Sequence, residues 1–444
     1  MKFAFLIHPL TEETQWLTNL EGVNRGWVTQ DLIGFCLHLH RSVAQVEQAR
    51  RAGRPKEVRV VDELPGLVSP AGVESEGRLI EIPMDAYAIL EDAGRAIEYM
   101  EQAVQMAADW GAKIVGLGSM TGVVGGQGTY LAEHAPVPVT TGNSLTVYAA
   151  VENLIDACSE AGMDITQETV AVVGIPGSIA TAAARVLASR CRSLVLVARR
   201  PSNRSTRIAE ELDAELLLDI PEALRRARVV LSATSSGSCI EQAWLRPGSL
   251  VSDVAVPTDV VGNTAERDDV LILTGGLSRV PSTMSMDSTY LWFHQGMVPS
   301  CLAETTVLGL EDRTECFSLG RDLKPERIEE IGRLARKHGL TFSHLYSFGI
   351  PLGESALVRY RKAVARSATS GGNHRQRSNE AAKEADERPA APTADQLGLR
   401  AAALYRRYIN PVLMALSAGN GFVKTLVRGE GTQVWDAEGN CYLD

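Results

Sequence analysis

The stretch Val170-Ala171-Val172-Val173-Gly174-Ile175-Pro176-Gly177-Ser178-Ile179-Ala180, closed by Leu194-Val195-Leu196-Val197-Ala198-Arg199-Arg200, decides the fold. An apolar run, a glycine turn, a small-residue helix start and a second apolar run predict strand, turn, helix and strand in succession. A buried strand feeding a tight GxxGxxA turn aims backbone N–H groups at a helix N-terminus toward a pyrophosphate, where the helix dipole favours negative charge. Gly174, Gly177, Ser178, Ile179 and Ala180 are therefore the expected phosphate cradle. An acidic residue about 20 residues on would accept the ribose 2′-hydroxyl of NAD. Arg199 and Arg200 stand there instead. Cations suit a 2′-phosphate, so the expected cofactor is NADPH. Taken alone, the turn also fits glycines that end a strand for steric reasons, and the arginines also fit solvated surface charges.

The surroundings strengthen the first alternative. A small-residue helix over 178–189 is followed by strand-like runs at 215–218, 229–232, 250–254 and 270–274. Ser232 and Ala233, where the 229–232 run ends, are further expected cofactor contacts. Gly275-Gly276-Leu277 closes the last run, where a nicotinamide ring is expected. The fold class is thus α/β, with a Rossmann-like module at its centre.

The chain has 444 residues, 45% hydrophobic and 22% charged, with a formal charge of −10. That length supports two or three domains with real cores. The negative balance argues against nucleic acid as partner, for which a basic stripe is the usual footprint. No run reaches the roughly 20 apolar residues of a membrane span, and the first residues lack a signal-peptide pattern. A cytoplasmic location is expected. Seven cysteines are scattered singly, without a CxxC or Cys/His spacing for zinc. Free thiols in a reducing compartment and no metal are the expectation.

Around the central module the chain divides further. Residues 1–140 alternate strand signals (2–8, 79–82, 113–117) with helix signals (27–51, 92–110), an N-terminal α/β substrate domain. Its last strand opens into Gly116-Leu117-Gly118-Ser119-Met120-Thr121-Gly122, a loop that either holds a ligand or simply turns; Gly118 and Ser119 are candidate substrate contacts. Thr140-Thr141-Gly142-Asn143-Ser144 carries side chains able to cap a helix over 145–161, and Thr141 and Asn143 are candidate substrate contacts too. The Rossmann-like NADPH domain is set at 141–284. Residues 285–366 form a mainly helical segment, with amphipathic pieces at 301–310 and 325–338. Residues 367–395 are too polar to offset the entropy of ordering and predict a disordered tether. Residues 396–444 predict a helix (397–418), a strand (422–427) and a hairpin around Glu438-Gly439-Asn440.

Several blocks together resemble the acyl-[acyl-carrier-protein] reductases of cyanobacterial type, which make fatty aldehydes from acyl thioesters with NADPH. They are Thr140-Thr141-Gly142-Asn143, Asp164-Ile165-Thr166-Gln167 before the glycine turn, Ala198-Arg199, Ser300-Cys301-Leu302-Ala303-Glu304, Phe317-Ser318-Leu319-Gly320-Arg321 and Arg336-Lys337-His338-Gly339. The resemblance implies that Cys301 attacks the thioester and holds the acyl group. On spacing alone Cys301 also fits a core thiol. Pro299 and Ser300 place Cys301 in the first turn of a helix, where the macrodipole lowers a thiol's pKa. His294 has no counterpart in that family and is taken as a packing or surface residue. Ala180 replaces the usual third glycine of the turn, and the residues before Cys301 depart from the family's aromatic-rich pattern.

The tail, through Asn410-Pro411, Gly429-Glu430-Gly431, Trp435-Asp436 and Tyr442-Leu443-Asp444, resembles the opening of class III pyridoxal-phosphate aminotransferases. The Schiff-base lysine of that family lies beyond residue 444, so this piece is expected not to transaminate. Together the resemblances imply the front end of a reductase–aminotransferase fusion, with acyl carrier protein or acyl-coenzyme A as donor. Two alternatives stand beside it. One is a reductase of the shikimate or glutamyl-tRNA type; the other is a catalytically idle nucleotide-binding scaffold for an aminotransferase.

Overall fold

A computed structural model describes residues 1–9, 56–256, 258–261, 267–284, 286, 296–343, 345–347, 350–352 and 354–370, together with strands within 426–443. The helix expected over 27–51, His294, the tether beyond residue 370 and the helix expected over 397–418 lie outside the described residues.

Two sheets organise residues 1–365. The first has the order β2-β3-β1-β4-β5, built from β1 (Lys2–Ile7), β2 (Arg59–Val68), β3 (Glu74–Glu81), β4 (Ile114–Leu117) and β5 (Val139–Thr140). All run parallel except β2, which pairs antiparallel with β3. The sequence reading missed β2. Its alternation is interrupted by Pro65-Gly66, and it is an edge strand with many exposed residues, so it lacks the apolar run that marks the central strands. Helix α1 (Ala93–Trp110) starts where the Asp92 carboxylate accepts the Arg95 N–H, and it buries Ala96, Met100, Ala103, Val104 and Ala107. Those positions recur at helical spacing, which explains why this helix was legible.

The second sheet is fully parallel, in the order β11-β10-β9-β6-β7-β8. Its strands are β6 (Thr169–Ile175), β7 (Ser193–Ala198), β8 (Glu215–Leu217), β9 (Val229–Ser232), β10 (Ser249–Asp253) and β11 (Val270–Thr274). The chain winds outward from β6 in one direction and then returns to wind outward from β9 in the other. That reversal makes the β6/β9 boundary the crevice where α/β sheets hold ligands. The six strands match the sequence reading to within a residue or two.

Helix α2 (Asn143–Ala161) packs against α3 (Ser178–Leu187), α4 (Ser300–Leu310) and α5 (Pro325–Lys337). After residue 285 the described residues hold α4, α5 and β13 (Met297–Pro299), which pairs with β12 (Leu277–Arg279). Helix α6 (Glu354–Ser370) extends into the stretch read as a tether. Among the described residues no helix is long and apolar enough to cross a membrane. A separate unit, which includes residues 366–444, holds the antiparallel strands β16 (Leu426–Glu430), β17 (Gln433–Asp436) and β18 (Cys441–Leu443). Here β14 and β15 are the pair Tyr346–Ser347 and Ile350–Pro351.

Candidate active site

The glycine turn sits at the switch point. Gly174 has φ +119°, and a Cβ there would stand 2.5 Å from the Ala233 carbonyl oxygen. The Ala233 N–H donates to the Val173 carbonyl at 3.0 Å, so the end of β9 lies flush on the turn. Gly177 precedes α3, and no side chain caps that helix start. Its first-turn N–H groups are thus left to an anion. Ala198 is paired with Ile175, so the exposed Arg199 and Arg200 follow directly beside the turn. The close approach of Gly174 to Ala233 and the uncapped start of α3 fit a nucleotide phosphate.

Ser232 is wholly buried, and its hydroxyl donates to Asp259 Oδ2 at 2.5 Å. The Thr234 N–H (2.9 Å) and hydroxyl also donate to Asp259. The Ser232 hydroxyl is therefore committed to holding the loop after β9, while Ala233 offers backbone. Asp253, at the end of β10, is pushed up to about 7 by burial and by Asp259 nearby.

Cys301 is the second residue of α4, as the sequence predicts. The preceding Ser300 donates its N–H to the Gly276 carbonyl at 2.9 Å, and its hydroxyl meets that of Ser278 at 2.8 Å. Gly276 lies two residues beyond β11. The thiol-bearing turn is thereby pinned to the end of the second sheet's last strand. From the first sheet's side comes Gly142, in the left-handed region at φ +72°. A Cβ on Gly142 would stand 2.2 Å from the Cys301 Cα and 2.4 Å from its Cβ. The backbone N–H groups of Leu302 and of Ser119, from the loop after β4, favour the charged form of the Cys301 sulfur. Ser119 itself is exposed with φ +49°. Gly142 and Ser119 thus lie beside Cys301, whereas Gly118 packs against Phe5 and the Leu6 carbonyl.

Two expectations need correction. The macrodipole was expected to lower the thiol's pKa; instead burial pushes Cys301 up to about 11, outweighing the N–H donors, with Glu304 adding to the rise. The capping of α2 by Thr140, Thr141, Asn143 or Ser144 side chains is also overturned. The N-cap is Gly142, without a side-chain bond. Thr140 Oγ1 donates to Glu304 Oε1 at 2.5 Å, Thr141 Oγ1 donates to the Ser318 carbonyl at 3.0 Å, and the Leu145 N–H is taken by Glu304 Oε2 at 2.9 Å. Thr141 is 1% exposed, which leaves it no surface for a substrate, and Asn143 is half-buried.

Sequence reasoning passed over two groups. Glu304 is a fully buried carboxylate three residues past Cys301 on the same side of α4; the signal was one acid inside an otherwise uncharged helix. His8 is buried at the C-terminal end of β1, its Nδ1 3.0 Å from the Pro9 carbonyl, and desolvation lowers its pKa.

Fold and crevice define an α/β protein with a dehydrogenase-type nucleotide-binding module. Residues 157–274 match the family described as shikimate / quinate 5-dehydrogenase. The chain is 32% identical over 407 residues to the aminotransferase PigE of Serratia sp., covering 85% of this chain and 45% of that protein. It is 30% identical over 210 residues to the long-chain acyl-[acyl-carrier-protein] reductase of Synechococcus elongatus, covering 45% and 60% respectively. A glutamyl-tRNA reductase of Saccharophagus degradans is 35% identical over 123 residues, covering 25% and 28%. The chain therefore spans about half the length of the first two relatives and is homologous to both.

Proposed function

We propose that the protein reduces an acyl thioester, carried on acyl carrier protein or coenzyme A, to an aldehyde through a covalent Cys301 acyl-enzyme. The observation that carries this reading is the position of Cys301: it stands in a helix turn that the Ser300 N–H pins to the Gly276 carbonyl, just past the nucleotide-binding sheet, with Gly142 packed against its backbone. The likeness to the Synechococcus elongatus reductase supports it.

The Cys301 sulfur forms a bond to the thioester carbonyl carbon, and the carrier's C–S bond breaks; the carrier thiolate leaves with the proton that Cys301 gives up. NADPH is the cofactor that Gly174, Gly177, Ser178, Ile179, Ala180 and Ala233 would line, with Arg199 and Arg200 at its 2′-phosphate; when bound it supplies a hydride. With the hydride on its carbonyl carbon, the acyl group is released as aldehyde when the bond to Cys301 breaks, and the sulfur takes a proton from water to restore the thiol. The Ser300–Gly276 bond and the close packing of Gly142 keep the Cys301 turn in place throughout, and the buried packing of α4 limits access of water. The likeness to PigE supports placing this unit ahead of an aminotransferase, which would convert the aldehyde to an amine.

Intact-protein mass spectrometry with a panel of acyl thioesters tests the reading. A single acyl mass on the wild type, absent in Cys301→Ala and discharged by NADPH with aldehyde formation, is expected. Wild-type aldehyde formation by Cys301→Ala would overturn the covalent route.

A further inference from the structure

We infer that Glu304 is a positioning residue for Cys301: it ties the helix bearing the thiol to the turn pressed against that thiol, and it sets the charge beside the sulfur. The inference rests on Cys301 being the nucleophile. Glu304 is 0% exposed. Its Oε1 accepts from Thr140 Oγ1 (2.5 Å) and its Oε2 from the Leu145 N–H (2.9 Å), while Ser144 and Ser318 bond each other beside it. Thr140 Oγ1 accepts from the Ser318 N–H (3.1 Å) and, more weakly, from the Gly142 N–H (3.4 Å), which directs its own proton to the carboxylate.

The Leu145 N–H is one of the first-turn donors that a helix leaves unpaired. Gly142 has no side chain to satisfy it, so Glu304 reaches across from α4 and supplies the cap. The same bond holds Gly142 against the Cys301 backbone, where there is no room for a Cβ. An apolar side chain at position 304 would keep α4 packed and leave that cap empty. A buried carboxylate is therefore unneeded for α4 itself and is explained by the junction.

Beside the sulfur the backbone N–H groups of Leu302 and Ser119 favour the thiolate, Gly142 contributes no side chain, and the charged group acting on the thiol is Glu304, three residues on along α4. Burial raises the Glu304 carboxyl's own pKa, while the Thr140 hydroxyl and the Leu145 N–H favour its charged form; the charged carboxylate opposes thiolate formation.

The test uses the full chain and site-resolved iodoacetamide alkylation of Cys301 against pH, read by peptide mass. Glu304→Gln keeps the volume and removes the charge. Its alkylation midpoint should fall by half a unit to one unit, making Cys301 about 3- to 10-fold faster at pH 8, with the high-pH plateau within about twofold of wild type. An unmoved or raised midpoint, or a raised plateau that marks a loosened site, overturns the electrostatic role. Should Glu304→Gln fail to fold, Thr140→Val and Thr140→Ser test the junction: acyl transfer to Cys301 should drop about tenfold in the first and return in the second. Wild-type transfer in Thr140→Val overturns the positioning role. If the wild type accepts no acyl group from any thioester, the proposed function fails, while the Glu304→Gln alkylation profile still decides the charge effect.

Discussion

Replacing Gly142 with alanine should disable Cys301 without touching it. The added methyl would meet the Cys301 Cα at 2.2 Å, its Cβ at 2.4 Å and its carbonyl oxygen at 2.6 Å. None of these atoms can rotate away, and ordinary carbon contacts begin near 3.5 Å, so the first turn of α4 must retreat by about 1 Å. The left-handed backbone adds roughly 1–2 kcal/mol for a residue with a Cβ, and overpacking adds about 1–3 kcal/mol more. A loss of about 2–5 kcal/mol in unfolding free energy follows. A displacement of about 1 Å at a reacting group lowers rates on the order of 100-fold. Gly162→Ala is the internal control. Its φ is +80° and nothing lies within 4 Å of the new methyl, so it should lose only the conformational part and acylate normally. Quenched-flow mass spectrometry of Cys301 acylation, with urea unfolding on the same samples, gives both numbers. Gly142→Ala acylating within threefold of Gly162→Ala would refute the close packing of turn and thiol.

Three further outcomes are expected. Arg199→Ala with Arg200→Ala should weaken NADPH binding by about 10- to 100-fold, from the roughly 1.5–3 kcal/mol of a charge-assisted hydrogen bond, and leave NADH nearly unchanged in a fluorescence titration; equal losses for both cofactors would contradict the 2′-phosphate assignment. Asp253 is pushed from its ordinary 3.8 to about 7, so the folded chain holds this proton more tightly than the unfolded chain. Its contribution to stability is then complete below about pH 4, is lost as pH rises through 7, and is flat above that. Urea midpoints for the wild type should therefore fall between pH 4 and 8 relative to Asp253→Asn, and parallel curves would refute the raised pKa. With the Cys301 thiol at about 11, its alkylation rate should rise about tenfold per pH unit from 7 to 9; a plateau below pH 8 would mean that the thiolate is already formed.

Legibility followed burial. The strands β6, β9, β10 and β11 are almost wholly buried, so each must be an apolar run, and the sequence shows them. The Cys301 helix was equally visible because Pro299 and Ser300 mark its start. The edge strand β2 was not, because one side of it has no neighbour to dictate its residues. The cap of α2 was hidden for a different reason. Local rules assign a helix start to the side chains next to it, whereas here the acceptor sits 159 residues away, on Glu304. Thr140, Thr141 and Ser144 had the right chemistry, but their hydroxyls are drawn into the Glu304–Ser318 junction. The candidate site was therefore readable as a set of residue types, and unreadable as a set of partners.

The reversal at Cys301 has a physical explanation in magnitudes. A helix N-terminus favours an anion by about 0.3–1 kcal/mol, up to about 2 in partly buried settings, which is below about 1.5 pKa units. Desolvation of a fully buried group reaches 3–5 units in the other direction. Burial therefore wins wherever the first turn of a helix is packed as tightly as that of α4. Tight packing also sets the Cys301 turn between the Gly276 carbonyl, which takes the Ser300 N–H, and Gly142. A more open turn would ionise more readily and would lose that support. The arrangement thus trades ease of ionisation for placement: the turn that bears the sulfur is fixed between Gly142 on one side and the Gly276 anchor on the other. On the proposed covalent route, the proton would leave such a site as the acyl group arrives, rather than beforehand.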